Sequence, residues 1–507
     1  MKKIVDGTHH TPTYVEDGVP FLSVKDVRDG KIYFDNCKYI SQEEHKELCK
    51  RCYPEPGDLL ITKSGTIGRC AVVNTKREFS LFVSVALLKP AIDDVNTSFI
   101  SLAFQAWFQT INVQNDITGS AIKNFHLVDF RKLALPLPPL NEQRRIVTKI
   151  EALKARSQRV KEELEAIPAL LDQFRQSVLA AAFRGDLTAD WQEKNPNVEP
   201  ASVLLERIRA ERRRRWEEAE LEKMKAQGKT PKDDKWKEKY EEPTAADTSD
   251  LPAIPKSWTW ATLPEIGELN RGKSKHRPRN DSALFGGSYP FIQTGEIRSA
   301  NGVISNFSQT YSEFGLKQSR LWSKGTLCIT IAANIAETAI LGFPACFPDS
   351  VVGFLPETSG CDVRFVEFFM RTAKNDLERF APATAQKNIN LEILRVVAIP
   401  FPPLEEQQKI IAAIERYFSV AEAIERMLSE NSEQIQHLEQ SILAKAFRGE
   451  LVPQDPNDEP ASVLLERIHV EREKLDTKKN VKGKSEKKSR KAKPEAAPEQ
   501  LSLPGFE

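Results

Sequence analysis

The chain has 507 residues, and 73 Lys+Arg against 72 Asp+Glu leave a formal net charge of +1. At roughly 100–200 residues per domain this length exceeds a single core, and the balanced charge announces no global field for a polyanion. No apolar run is long enough to span a bilayer, Met1-Lys-Lys-Ile-Val-Asp-Gly holds no signal core, and the seven cysteines read as reduced thiols, so export and membrane insertion are excluded and a cytoplasmic setting is expected.

From the N-terminus, the first stretch reads as mixed α/β. Gly57–Thr62 and Cys70–Val73 look like strands around a Ser64-Gly65 turn, and Phe99–Asn112 has helical apolar spacing. A Pro-rich hinge, Pro136-Leu-Pro-Pro-Leu, then opens a long helix. Ile146, Ile150, Leu153, Ser157, Val160, Leu164, Ile167, Leu171, Phe174, Val178 and Ala181 keep a 4-3 spacing up to Arg184-Gly185, a C-cap signal. Pro168 should kink this helix. A charged helix around Arg212-Arg-Arg-Arg215-Trp216 follows and decays into a linker ending near Asp250.

The pattern then recurs. Residues 400–451 repeat 136–187 at an offset of 264 without a gap, with 19 of 52 positions identical. Glu199–Ile208 returns letter for letter as Glu459–Ile468. Fainter echoes join Val19-Pro-Phe-Leu to Tyr289-Pro-Phe-Ile, Gly57-Asp-Leu-Leu-Ile-Thr to Gly325-Thr-Leu-Cys-Ile-Thr, and Ala121-Ile-Lys-Asn-Phe to Ala385-Gln-Lys-Asn-Ile. The chain is therefore one plan used twice.

Neither heptad helix can bury its stripe alone, so the two are expected to pair as an antiparallel coiled coil. Its core would be Ile146, Ile150, Val160, Leu164, Leu171 and Phe174 against Ile410, Ile414, Ile424, Leu428, Ile435 and Leu438. An axis near residue 162 and its counterpart 426 pairs positions summing to 588, which sets Ser157 against Asn431 and Ile167 against Ala421. The stretch 478–493 holds nine Lys/Arg and one acid and is expected to be a disordered basic tail.

Three chemical motifs stand out. Gly267-Glu-Leu-Asn-Arg-Gly272-Lys273-Ser274 satisfies the P-loop pattern, but Lys275-His-Arg-Pro278 cannot open the helix that a P-loop needs, which disfavours an ATPase. Cys49-Lys-Arg-Cys52 with Cys37 and Cys70 is too irregular for a zinc site. No Asn/Asp-Pro-Pro-aromatic methyltransferase motif occurs, and Pro348-Asp349 lacks the acid-x-Lys of a common nuclease core, so catalysis is expected on other chains. A coiled-coil scaffold with protein-binding ends stays open as the rival reading.

The doubled motif, Pro-x-Pro-Pro-Leu-x-Glu-Gln opening a helix that ends Ser-(Val/Ile)-Leu-Ala-x-Ala-Phe-Arg-Gly-(Asp/Glu)-Leu, resembles the specificity subunit of type I restriction–modification systems over nearly the whole chain. The resemblance implies an α+β, pseudo-two-fold duplicated fold: two mixed α/β target recognition domains separated by a long antiparallel two-helix coiled coil. It implies recognition domains at 1–140 and 251–403, helices at 141–190 and 404–451, a charged helix and linker at 191–250, and a C-terminal helix and tail at 452–507. Each recognition domain would read half of a bipartite target in double-stranded DNA. Two methyltransferase subunits and the restriction subunits would be partners, bringing S-adenosylmethionine, ATP and Mg²⁺, with no cofactor or metal on this chain.

Under that reading, short donors and cations in loops become DNA-contact candidates, since Asn pairs with adenine, Lys or Arg with guanine, and adjacent cations with phosphates. They are His9, His10, Lys63, Ser64, Lys123 and Asn124 in the first copy, and Arg271, Lys273, Lys275, Arg277, Lys387 and Asn388 in the second. One departure matters. The second copy begins Ile254-Pro-Lys-Ser-Trp258-Thr-Trp260, and the first has no such segment ahead of Pro20, which puts its first strand in question. Either the first recognition domain is incomplete or the C-terminal Gln500–Glu507 fills the gap.

Overall fold

The computed structural model describes residues 1–28, 30–90, 95–118, 125–228, 231, 233–332, 336–357, 360–379 and 389–483, and their side chains except at 110–118, 375–379 and 475–483. The chain divides into two units, Met1–Glu165 with Leu428–Glu507, and Ala166–Met427.

The first copy runs β1 (Lys3–Asp6), β2 (Leu59–Thr62), β3 (Cys70–Val72), β4 (Val85–Lys89), α1 (Thr97–Thr118) and α2 (Leu140–Glu165), followed by α3 (Ile167–Arg184) and α4 (Ala201–Ala226). The second runs β5 (Thr259–Thr262), β6 (Gly267–Arg271), β7 (Leu327–Thr330), β8 (Thr338–Leu341), β9 (Val351–Pro356), α5 (Val363–Arg379), β10 (Ala398–Phe401), α6 (Leu404–Phe447) and α7 (Ala461–Gly483). The fold is α+β, as the sequence implies. β1 corresponds to β6, since Asp6 lies opposite Ala86 as Arg271 lies opposite Val352, and the described residues of the first unit hold no counterpart of β5. No helix among the described residues is long and apolar enough to cross a membrane.

Each unit holds the same sheet. In the first the strand order is β1-β4-β2-β3; in the second it is β6-β9-β7-β8, extended by Val303–Ile304, which joins β8 in parallel. The registers correspond: Val85 lies opposite Thr62 and Val351 opposite Thr330. Both faces are covered, which is why Leu59-Leu-Ile-Thr and Leu327-Cys-Ile-Thr are unbroken apolar runs buried at every position. Leu59 and Ile61 pack with Phe99 and Phe104 of α1, while Leu60 joins the opposite cluster with Phe79 and Leu87. The hairpins match in detail. Gly68 N–H donates to Thr62 O (2.9 Å) and Ala336 N–H to Thr330 O (2.8 Å), with left-handed φ of 86° and 57°.

The hinge explains why Pro-Pro-Leu-x-Glu-Gln occurs twice. Gln143 Nε2 donates to Pro138 O (2.8 Å) while its Oε1 accepts from Asn96 N–H (3.0 Å), the residue capping α1. Gln407 Nε2 donates to Pro402 O (3.0 Å) and Gly360 O (3.2 Å), and its Oε1 accepts from Asp362 N–H (3.0 Å), at the start of α5. The preceding carboxylates are buried too. Gln454 Nε2 donates to Glu142 (3.3 Å), and Thr188 Oγ1 (2.8 Å) and Gln192 Nε2 (2.7 Å) donate to Glu406. One motif thus ties helix, hinge and sheet domain together.

Next to Pro168 the first helix is interrupted at Ala166, which keeps right-handed helical angles between α2 and α3, whereas α6 is continuous. Gly185 caps α3 at φ 86° and Gly449 follows α6 at φ 77°. In each unit the sheet domain packs on the beginning of one helix and the end of the other. Ile146 and Ile150 share a core with Ile442–Phe447 in the first, as Ile410 and Ile414 do with Val178–Phe183 in the second.

Helix pairing is antiparallel within each unit, but the register differs from expectation. Lys161 pairs with Glu439 (2.8 Å) in the first unit and Arg175 with Glu425 (2.8 Å) in the second. Both pairs sum to 600. Shifted by 264, one pair maps onto the other with its charges reversed. The rings of Phe174 and Tyr417, whose numbers sum to 591, also meet, at 6.1 Å between centroids, and Ser157 and Ala421 are buried whereas Asn431 is exposed. The expected buried pair of Ser157 with Asn431 is therefore absent. Of the expected coiled-coil core, Ile146, Ile150, Leu171, Ile410 and Ile414 are buried and Leu164, Ile424, Leu428 and Ile435 are half-buried. Val160, Phe174 and Leu438 are 45%, 37% and 54% exposed. A two-helix seam without a third layer cannot cover its own flanks. The C-terminal stretch also differs: α7 continues to Gly483, into the segment expected to be disordered.

Candidate nucleic-acid interface

In both units three loops meet at one end of the sheet. In the second unit, Gly272 N–H donates to Val351 O (2.8 Å) and Ile331 N–H to Ser350 O (3.0 Å), so the loop after β6 and the β7–β8 hairpin leave adjacent residues. Ile389 N–H donates to Ile331 O (3.1 Å), bringing in the segment that follows α5. In the first unit the same contacts are Gly7 to Val85 (3.3 Å), Lys63 to Ser84 (2.9 Å) and Phe125 to Lys63 (2.8 Å).

The two glycines have a steric reason. A Cβ on Gly272 would collide with the carbonyls of Phe347 and Pro348, and one on Gly7 with the carbonyl of Leu81. Close backbone approach fixes where each loop departs. It also settles the P-loop pattern: residues 267–271 are a strand paired with 352–356, and no phosphate-cradling turn or helix follows Lys273-Ser274.

Beyond Gly272 the loop is cationic. Lys273 and Lys275 are exposed and have no ion pair among the described residues. Arg277 folds back so that Nη1 donates to Ser274 O (2.7 Å) and His276 O (2.8 Å), which leaves its charge uncompensated. Arg271 donates from Nε to Asp349 O (2.5 Å), and Arg279, which sequence reasoning passed over, pairs with the Asp349 carboxylate at 2.8 Å. His276 is held by Asp281 (2.7 Å) and meets the Phe314 ring edge-on. The Ala283 backbone N–H, and then His276, hold the Asp281 carboxyl below its ordinary range.

The first unit is built differently. Asp6, 2% exposed at the end of β1, gathers Arg51 (2.5 Å), Lys63 (3.1 Å) and His9 (3.3 Å). Lys63 is therefore not a free cation; its side chain is 13% exposed and turned onto Asp6. Arg51 and His9 stay open to solvent on the same carboxylate, and the Thr8 hydroxyl meets His10 Nδ1 at 2.9 Å. Ser64 is half-buried in the hairpin loop. The organising residues here, Asp6 and Arg51, were missed; the usable signal was a carboxylate directly before Gly7 at the end of an apolar strand. Lys123, Asn124, Lys387 and Asn388 lie outside the described residues, immediately before the anchored Phe125 and Ile389.

Among the described residues no group of three or more His, Cys, Asp or Glu side chains could hold a metal ion. Burial pushes the Cys52 thiol up to about 12 and raises Cys70 as well, which suits packed thiols rather than thiolate ligands.

Residues 11–169 and 255–433 match the family model described as type I restriction modification DNA specificity domain. The chain is 28% identical over 387 residues to the type I restriction enzyme EcoDI specificity subunit of Escherichia coli, covering 72% of this chain and 75% of that protein. It is 24% identical over 500 residues to the EcoKI specificity subunit of Escherichia coli (strain K12), covering 93% and 92%. Among solved structures it resembles the HsdS subunit from Thermoanaerobacter tengcongensis, with a TM-score of 0.53 at 19% identity over 87% of this chain and 92% of that one. A chain solved in work on complex assembly and conformational transition of the type I R-M system gives 0.57 at 19% identity, over 87% and 93%.

Proposed function

Because the chain belongs to the type I restriction–modification DNA specificity family, we propose that it reads a bipartite duplex target, one half-site per recognition domain, and docks two methyltransferase subunits. It is the DNA specificity subunit of such a system and a non-catalytic component. Methylation and cleavage belong to its methyltransferase and restriction partners, which bring S-adenosylmethionine, ATP and Mg²⁺ in the cytoplasm.

The observation that carries the bipartite reading is the repetition of one three-loop sheet end, anchored at Gly7 in one unit and Gly272 in the other. Repeating the platform while changing its loops suits two half-sites of different sequence. Lys273, Lys275 and Arg277 supply phosphate contacts in the second domain. In the first, Arg51, His9 and His10 take that role, and Lys63 and Ser64 shape the hairpin. Lys123-Asn124 and Lys387-Asn388, just ahead of their anchors, are candidates for base edges.

Docking is supported by duplication of exposed apolar residues. Phe174 and Leu438 occupy counterpart positions at offset 264 and are 37% and 54% exposed. Methylome sequencing of a host expressing this chain with its methyltransferase subunits tests the proposal. A motif of two short specific halves separated by unspecified bases is expected; a single contiguous motif, or none, would refute it.

A further inference from the structure

The sheet ends where the loops meet are not charged alike. In the second unit four cations follow Gly272 in one loop, Lys273, Lys275, Arg277 and Arg279, whereas in the first no Lys or Arg follows Gly7 before Lys25. The cations of the first unit stand beside the loop instead. The turn at Val24–Asp26 adjoins the β2–β3 hairpin: Val24 N–H donates to Ser84 Oγ (3.1 Å), Ser84 O accepts from Lys63 N–H (2.9 Å), and a Cβ on Gly65 would lie 3.7 Å from the Val24 side chain. Val27–Arg28 then pairs antiparallel with Lys31–Ile32, and Val27 and Ile32 share a core cluster with Ala71 of β3. Lys25, Arg28, Lys31 and Arg69, the residue ahead of β3, are exposed.

The described fold does not compensate these charges. None of the four makes an ion pair among the described residues, which leave out Asp29. Arg28 stands directly opposite Lys31, an arrangement of like charges that weakens a strand pair. The Arg28 guanidinium lies 4.2 Å from the centre of the Tyr33 ring, a contact that uses its face and none of its N–H donors. Asp26, in the same turn, is engaged as a cap, accepting from Ser23 N–H (2.7 Å) and Ser23 Oγ (3.0 Å).

The second unit keeps the frame and drops the charges. Gln293 N–H donates to Glu296 (3.1 Å) as Ser23 does to Asp26, Gly302 at φ 83° matches Gly30 at φ 73°, and Thr330 N–H donates to Glu337 O (3.0 Å) as Thr62 does to Arg69 O (2.9 Å). The counterparts of Lys25, Arg28, Lys31 and Arg69 are thus Gly295, Arg298, Val303 and Glu337, and Glu337 is tied to Lys374 (2.9 Å). Where one unit has four cations in the loop, the other has four on a ledge beside it.

We propose that Lys25, Arg28, Lys31 and Arg69 form the main phosphate-binding ledge of the first recognition domain, in place of the loop that serves the second. Adjacent uncompensated cations engage backbone phosphates and carry no base readout. Each domain then holds the duplex backbone from a different side of its own sheet end, on one repeated frame. The proposal rests on the reading of this chain as a DNA specificity subunit.

The test uses the full chain assembled with its methyltransferase subunits, on a duplex carrying the motif it methylates. In the quadruple variant Lys25→Gln, Arg28→Gln, Lys31→Gln, Arg69→Gln, the slope of log affinity against log salt should fall by about 3, at roughly 0.9 per phosphate contact. Interference by phosphate ethylation should vanish beside one half-site only. Lys273→Ala with Lys275→Ala should lose it beside the other. An unchanged slope with unchanged interference, or losses beside the same half-site in both variants, would overturn the ledge while DNA recognition by the parent stands. A parent complex without sequence-specific interference would sink the underlying reading, and the ledge with it. Should the quadruple variant unfold at a lower temperature, Arg69→Glu alone gives a second reading. It should lower the slope by about 1 and remove interference beside the same half-site, and an unchanged pattern would equally overturn the proposal.

Discussion

Replacing Gln407 tests whether the repeated Glu-Gln motif is structural. Gln407 is 0% exposed and makes three hydrogen bonds, to Pro402 O, Gly360 O and Asp362 N–H. Truncation to Ala leaves those backbone groups buried and unpaired at about 1–3 kcal/mol each, partly relieved by relaxation, and adds a small cavity. A total of about 3–5 kcal/mol is expected, since such costs are rarely fully additive. At roughly 2–4 °C per kcal/mol for a unit of this size, that lowers Tm by about 6–20 °C. Gln407→Met, which fills the volume without the bonds, should recover only the cavity part. Gln143 makes two such bonds, and beside it Pro138 and Pro139 are half-buried where Pro402 and Pro403 are buried. Gln143→Ala should therefore cost less, about 2–3 kcal/mol. Calorimetry on both variants checks the order. Equal small shifts, or full rescue by Met, would show that the hydrogen bonds are not what holds the hinge.

Further expectations concern the loops and the helix seam. Lys273→Ala with Lys275→Ala should leave Tm unchanged, weaken DNA binding by the assembled complex uniformly across sequences and reduce its salt slope by about 2, measured by titration across salt concentrations. Lys63→Met should instead destabilise the first unit by about 1–2 kcal/mol, because Asp6 keeps only two of its three partners, and denaturant unfolding reads this. Gly272→Ala should displace the cationic loop and abolish recognition of one half-site only, which methylome sequencing would show. Arg175→Glu should cost under about 1 kcal/mol, the pair being partly exposed, and Glu425→Arg in the same chain should restore it.

Sequence made the duplication, the hinge, the C-caps and the buried strands legible, because each rests on local periodicity or on a residue type with one physical role. The helix register was not legible. A heptad stripe slides along its partner by whole heptads without losing its seam, so Ser157 and Asn431 look like a pair in the sequence, whereas in the structure Ser157 is buried and Asn431 exposed. Lys63 shows the same limit at the site. Its charge is plain in the sequence, but its neutralisation depends on Asp6 being buried across the sheet, a tertiary fact. Lys273 and Lys275 were legible because an exposed loop without carboxylate partners leaves cations as the sequence writes them.

The central claim is that two recognition domains read two half-sites independently. Its most direct test replaces residues 255–403 with the corresponding segment of a specificity subunit of known target, and sequences the methylome of a host carrying the hybrid with the same methyltransferase subunits. One half of the motif should become that of the donor while the other half stays as in the parent. A motif in which both halves change, or neither does while methylation persists, would contradict the account.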